Sequence, residues 1–233
     1  MTLQHARRLL RCRSMRVVRH LPFALPLVLA SSLAFGDPAP HVTSIDIHRW
    51  QVVKRDSGPT NYYWVVDAQP PFIRSRYEPD TETTVLGVQL GDDDKRAGRL
   101  RWRWRAEALP TGGSECIDGR GDSAASVYVT WKRGLRFYTL KYVWSSVDKR
   151  GSICHSIRNP FVAQDTVVLE SGAPLDAWVS EEIDLKAEFR RHFEDNDANA
   201  DVPDLRGIGV MTDGDQTHSV SAADYGDFAL VSP

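Results

Sequence analysis

The sequence has few cysteines, no apolar run of membrane-spanning length and no internal repeat, and each lack removes a class of protein. Three Cys stand among 233 residues, too few for a small disulfide scaffold, and nothing near Cys116 forms a metal-ligand spacing. The longest apolar stretch, Leu21 to Phe35, contains Pro22 and Pro26 and falls short of the roughly 20 residues that cross a bilayer. No Ser or Cys sits in a nucleophile context, and His218 in a late loop does not supply a triad by itself.

Acid is missing from the start of the chain. Residues 1–36 carry six arginines and no Asp or Glu ahead of that apolar stretch, with small residues at Ala34 and Gly36. This pattern predicts a signal peptide over 1–36, cleaved near Gly36, and a periplasmic or secreted protein. Met15 begins a more compact leader and is the alternative start, Arg7-Arg8 is a weak twin-arginine signal, and without a Cys at the cleavage point no lipid anchor or stable membrane anchor is expected. Without the leader, 23 basic residues face 31 acidic ones, a net charge of −8. That excess of acid excludes nucleic acid as a partner, since binding it rests on neutralising phosphate. Residues 37–233 have a length that suits one domain.

Residues 121–146 organise this domain. Val127, Val129 and Trp131 alternate with Tyr128 and Thr130, and after a Gly-containing turn Tyr138, Leu140, Tyr142 and Trp144 share one face. The pattern predicts a central β-hairpin whose aromatic face is buried against a second layer. Further strands are expected over Ile45 to Val53, Tyr62 to Val66, Phe72 to Arg76, Thr83 to Leu90, Arg99 to Glu107, Thr166 to Glu170, Trp178 to Ile183, Leu205 to Met211 and Tyr225 to Val231. Turn residues such as Asp56-Ser57-Gly58-Pro59 separate them. Asp184 caps a short helix near 185–193, with Leu185, Phe189 and His192 or Phe193 at helical spacing. The fold class is therefore all-β, an antiparallel β-sandwich of jelly-roll form with one helix.

Cys116 and Cys154 are the only cysteines beyond the leader and are expected to pair in an oxidising compartment. In Arg99 to Glu107 four arginines alternate with apolar residues, a ladder that binds an anionic sugar or phosphate or else pairs with acids on neighbouring strands. The DNDANAD segment, 195–201, resembles half of a calcium loop but has Ala200 where Gly is needed and Arg206 where Glu is needed, so it reads as a solvated loop. Asp213, Asp215, Asp224 and Asp227 crowd one stretch, which predicts a calcium site at Asp213 and Asp215, a salt-bridged edge or an acid/base pair. Arg120-Gly121-Asp122 is too short to support adhesion.

The blocks LRWRWRAEALPTGG, GDSAASVYVTW, TLKYVWSS, NPF, SGAPLDAWVSEEIDL and GIGVMTDGDQTHSVSAADYGDF resemble, in that order, a bacterial exported family catalogued as domain-of-unknown-function family 3047. The resemblance runs from about Tyr62 to Leu230 and implies no activity. Where that family commonly has two acids after Gly121, this chain has Asp122 and then Ser123. Trp178 to Leu185 and Tyr225 to Phe228 are also similar, more loosely, to galactose-binding-like jelly rolls of carbohydrate-binding modules.

Two functional readings follow. The favoured one is a non-catalytic binding module for envelope or extracellular glycan, without cofactor unless calcium is held, whose ligand candidates are Asp122, Trp144, Asp213, Asp215, Asp224 and Asp227. Trp50, Tyr63 and Trp64 are its candidate stacking platforms. The alternative is an envelope polysaccharide hydrolase or lyase acting through carboxylates among Glu115, Asp122, Asp213 and Asp215.

Overall fold

Alternation builds the core from both sides. In the computed structural model, which describes residues 40–55, 61–79 and 81–232, strand β6 (Arg99–Ala108) points Leu100, Trp102, Trp104 and Ala106 inward and its arginines outward. The central hairpin is β7 (Ala125–Arg133) and β8 (Arg136–Ser145), in the register Val127↔Tyr142, Val129↔Leu140 and Trp131↔Tyr138. All six of those side chains are buried. The two layers meet through aromatic rings: Trp102 lies 5.9 Å from Tyr142 and Trp104 6.0 Å from Trp144. Tilted and edge contacts of this kind are the packing that ring quadrupoles prefer.

One sheet is completed by β1 (His41–Ser44), β3 (Tyr63–Val66), β4 (Phe72–Tyr77), β11 (Val179–Asp184) and β13 (Ser221–Ser232), in the order β11-β6-β13-β4-β3 with β1 also on β13. The other contains β2 (Gln51–Arg55), β5 (Thr84–Gln89), β12 (Leu205–Met211), β9 (Ile153–Arg158) and β10 (Val162–Ser171), in the order β2-β5-β12-β7-β8-β10-β9. The result is a β-sandwich of six and seven strands. Helix α1 (Leu185–Phe193) closes one end, capped by Asp184, whose carboxylate accepts from the amides of Lys186 and Ala187. Phe189 wedges against Trp131 and Tyr138.

Three details depart from the sequence reading. The run Ile45 to Val53 is not one strand, because the chain crosses between sheets there: β1 pairs with β13, a short turn at Ile47–Arg49 is capped by Asp46, and β2 pairs with β5. Strand β9 had no alternating signal, since only Cys154 on it is buried. It forms the outer edge of the sheet, antiparallel to β10, and leaves β10 parallel to β8 in an otherwise antiparallel sandwich. The predicted leader and the Asp56 to Pro59 turn lie outside the described residues.

Candidate functional site

The same alternation that buries one face of the seven-stranded sheet leaves the other to carry chemistry. Register aligns Gly87 of β5, Gly209 of β12, Tyr128 of β7, Lys141 of β8 and Thr166 of β10 in one row across that outer face. The row has no side chain at its β5 end: a Cβ at Gly87 would stand 2.9 Å from the Ile208 carbonyl oxygen. The low floor is the base of a cleft of about 970 Å³, whose lining includes Val85, Tyr128, Lys141, Gln164, Thr166 and Met211 from the strands. Three loops raise its rim, contributing Thr81, Glu82 and Thr83 on one, Glu115, Asp118 and Gly121 on the second, and Asp213, Asp215 and Gln216 on the third.

Glu115 is held from several directions. Its amide donates to Asp148 at 2.7 Å, the disulfide Cys116–Cys154 ties its loop to β9, and its Oε1 accepts from Lys141 Nζ at 2.6 Å and from Ser123 Oγ at 2.7 Å. Burial works against the Lys141 charge, but Tyr128, Glu115 and Asp213 around it hold its pKa above the ordinary lysine value. Burial likewise raises the Tyr128 hydroxyl.

The third loop hangs on Asp122. Its two carboxylate oxygens accept from the amides of Gln216 and Thr217 at 3.2 and 2.6 Å, and the Gly121 amide donates to Gln216 Oε1 at 2.9 Å. Asp213 accepts from the Ser123 amide at 2.9 Å. Burial pushes its carboxyl up to about 8, with Lys141 opposing and Glu115 adding to the rise. Asp215 is also raised, by burial and then by Asp122. One carboxylate oxygen each from Asp122, Asp213 and Asp215 lies within 4.8 Å of the others. Such a set can share protons, or hold a hard cation such as calcium once deprotonated.

The remaining candidates lie elsewhere. Asp224, wholly buried, is clasped on the six-stranded sheet by Arg74 at 2.8 Å and Arg105 at 2.6 Å, and Asp227 pairs with Arg103 at 2.8 Å. The expected cluster of four late acids is thus divided between two sheets, because Asp213 and Asp215 sit in the loop before β13 while Asp224 and Asp227 lie on it. Arg99 and Arg101 share Glu182, so the ladder is paired with acids on adjacent strands, and Trp178 lies beneath Arg103 and Arg105. Trp144 is a core residue, its ring against Trp104 and its Nε1 donating to the Gly172 carbonyl oxygen, and offers no face to a ligand. Trp50 and Tyr63 are buried too; Trp64, 48% exposed, is the open ring of the three proposed platforms. The 195–201 segment does not form a metal-capable cluster among the described residues.

Sequence reasoning missed Tyr128, Lys141, Gln164 and Thr166. The available signal was Lys141, a lone charge inside the aromatic strand TLKYVW.

The fold and cleft describe a β-sandwich with a polar, acid-rimmed groove on one face. The chain belongs to the family described as "Protein of unknown function (DUF3047)", whose profile matches residues 48–229. A search of curated proteins gave no match. Among solved structures it is similar to a family 11 carbohydrate-binding module from Clostridium thermocellum in complex with a mixed-linked tetrasaccharide, at 11% identity and TM-score 0.43, covering 84% of this chain and 98% of that one. It is also similar to the xyloglucanase domain of NopAA from Sinorhizobium fredii in complex with cellobiose (13% identity, TM-score 0.42, 81% and 96% covered). A third is endoglucanase 3 of family GH12 from Trichoderma harzianum (11%, 0.33, 84% and 99%).

Proposed function

We propose that this protein is exported and that the cleft on its seven-stranded sheet binds a glycan without cleaving it. The observation that carries the reading is the cleft itself. About 970 Å³ of open space is lined by groups that donate and accept hydrogen bonds, among them Gln164, Thr166 and Gln216, around the part-exposed ring of Tyr128. Sugars present this combination, hydroxyls at the rim of each ring and C–H groups on its faces. The Arg-rich start of the chain and its acidic remainder support export. A glycan array run beside a reducing-end release assay tests the reading. Binding without release is the expected outcome.

The second reading, hydrolysis or lysis by carboxylates, is favoured by one feature. Asp213, held up to about 8, carries a proton at neutral pH, and Asp122 and Asp215 offer oxygens within 4.8 Å. A protonated acid beside other carboxylates is how acid/base pairs are built. Turnover that disappears in Asp213→Asn would establish this reading over the first. Calcium is the finer proposal for the same acids, and a rise in melting temperature on adding calcium, abolished by chelator, is its test.

A further inference from the structure

The charges lining the cleft discriminate among glycans. Among the described residues that line it the acids are Glu82, Glu115, Asp118, Asp213 and Asp215, of which Asp213, held up to about 8, carries a proton at pH 6 and adds no charge; Lys141 is the one Lys or Arg, and His155 lies 3.9 Å from Asp118. Lys141 is moreover engaged by Glu115 at 2.6 Å, with both side chains buried, so these two charges are spent on each other inside the protein rather than offered to a ligand. Asp215 and Asp118 stand at the exposed rim. A concave site with low-dielectric walls and one sign of charge focuses its field into the opening. Uronic acid polymers and phosphorylated glycans are repelled by that field, neutral glycans are indifferent to it, and a sugar carrying ammonium groups is attracted. Resting on the glycan reading of the same cleft, we propose that its ligand is a glycan with free amino groups, a hexosamine polymer wholly or partly de-N-acetylated.

The amines would donate charge-assisted hydrogen bonds to the rim carboxylates, stronger than those between neutral partners. The acetylated sugar loses both the charge and two of its donors at each such position, which gives the site a means of distinguishing the two forms.

The experiment is calorimetric titration of the processed protein at pH 6 and low salt with four tetrasaccharides: glucosamine, N-acetylglucosamine, β-linked glucose and a uronic acid. The glucosamine oligomer is expected to bind roughly tenfold or more tightly than the acetylated one, with an advantage that shrinks as sodium chloride is added. Asp215→Asn is expected to weaken glucosamine binding several-fold, and by more than it weakens binding of the neutral sugars, with the circular dichroism spectrum and melting temperature of the variant measured alongside. Equal or tighter binding of the neutral, acetylated or uronic oligomers overturns the amino-sugar assignment while leaving glycan binding standing. Failure of every oligosaccharide to bind overturns both. Amine binding that is insensitive to salt and to Asp215→Asn also counts against the proposal, since the cleft charges would then not be its cause.

Discussion

Lys141 Nζ lies 2.6 Å from Glu115 Oε1, and both side chains are buried although one comes from the middle of a strand and the other from a loop 26 residues earlier. This pair fixes the cleft floor to its rim. Removing one member leaves a buried charge without its partner, so Lys141→Met is expected to cost about 3–5 kcal/mol in urea unfolding, whereas Lys141→Met combined with Glu115→Leu costs much less. Equal losses in the single and double variants would show that the two charges do not depend on each other.

Asp213 gives a pH signature of opposite sense to an ordinary salt-bridged acid. Its carboxyl rises from 3.8 in the unfolded chain to about 8 in the folded one, so folding takes up a proton between those values and stability falls as pH climbs from about 4 to about 8. The slope from this one group is at most about 1.4 kcal/mol per pH unit. Asp213→Asn, which mimics the protonated acid, should be more stable than the wild type at pH 8 and lose that advantage towards pH 4. A melting series over pH 4–9 for both proteins, repeated with calcium, checks this; a calcium ion at the site would stabilise the wild type at the alkaline end and leave the variant unaffected.

His192 predicts a second pH dependence, at the helix. Its Nδ1 is 2.8 Å from Asp165 and its Nε2 3.5 Å from Glu188, with Arg158 on Asp165, Arg191 near Glu188 and the Tyr142 hydroxyl also on Glu188. Burial opposes the imidazolium, but hydrogen bonds to Glu188 and Asp165 outweigh it and raise the pKa from 6.5. The histidine's bond to Glu188 in turn lowers that carboxyl from 4.5 against its own burial. In Asp165 burial is opposed and outweighed by Arg158, Ser156 and His192, and the net shift is again downward. The histidine's contribution is complete below its unfolded value and is lost as pH rises through the folded one. Those of the acids are complete above their unfolded values and are lost on acidification. All three are therefore at full strength only between roughly pH 4.5 and 6.5. His192→Gln should flatten the alkaline side of that window in a melting curve, and an unchanged profile would show that the clamp does not titrate.

The disulfide closes a separation of 38 residues that contains the whole central hairpin. In the chain-entropy model its removal costs about 4 kcal/mol, and Cys116→Ala with Cys154→Ala should also loosen the Glu115 loop. Guanidine unfolding measures the first effect, and faster amide exchange around residues 114–123 the second.

Much of this architecture was legible because period-2 alternation survives wherever a strand has one buried face. The hairpin, β6 and α1 could be read in that way, with Asp184 as a visible cap. The edge strand β9 could not, having only Cys154 buried, and neither could the change of sheet at Ile47. For the site, the sequence pointed to Asp122, Asp213 and Asp215 as acids but grouped Asp213 and Asp215 with Asp224 and Asp227, which strand register carries to the other sheet. Trp144 was named both on the hairpin face expected to be buried and as a ligand candidate, and its packing against Trp104 agrees with the first reading and not the second. Lys141 was overlooked because a lone lysine in a strand acquires meaning only from the loop that brings Glu115 to it.

The most direct test of where ligand binds is a glycan array probed with the wild type, Tyr128→Ala, Gln164→Ala and Trp64→Ala. Tyr128 and Gln164 line the cleft, and Trp64 is the exposed ring of the opposite sheet. The cleft account predicts that the first two variants lose most of the glycan signal, about tenfold or more for the stacking residue, while Trp64→Ala retains it. Full binding by Tyr128→Ala and Gln164→Ala, with loss in Trp64→Ala, would place recognition on the six-stranded sheet and contradict the account.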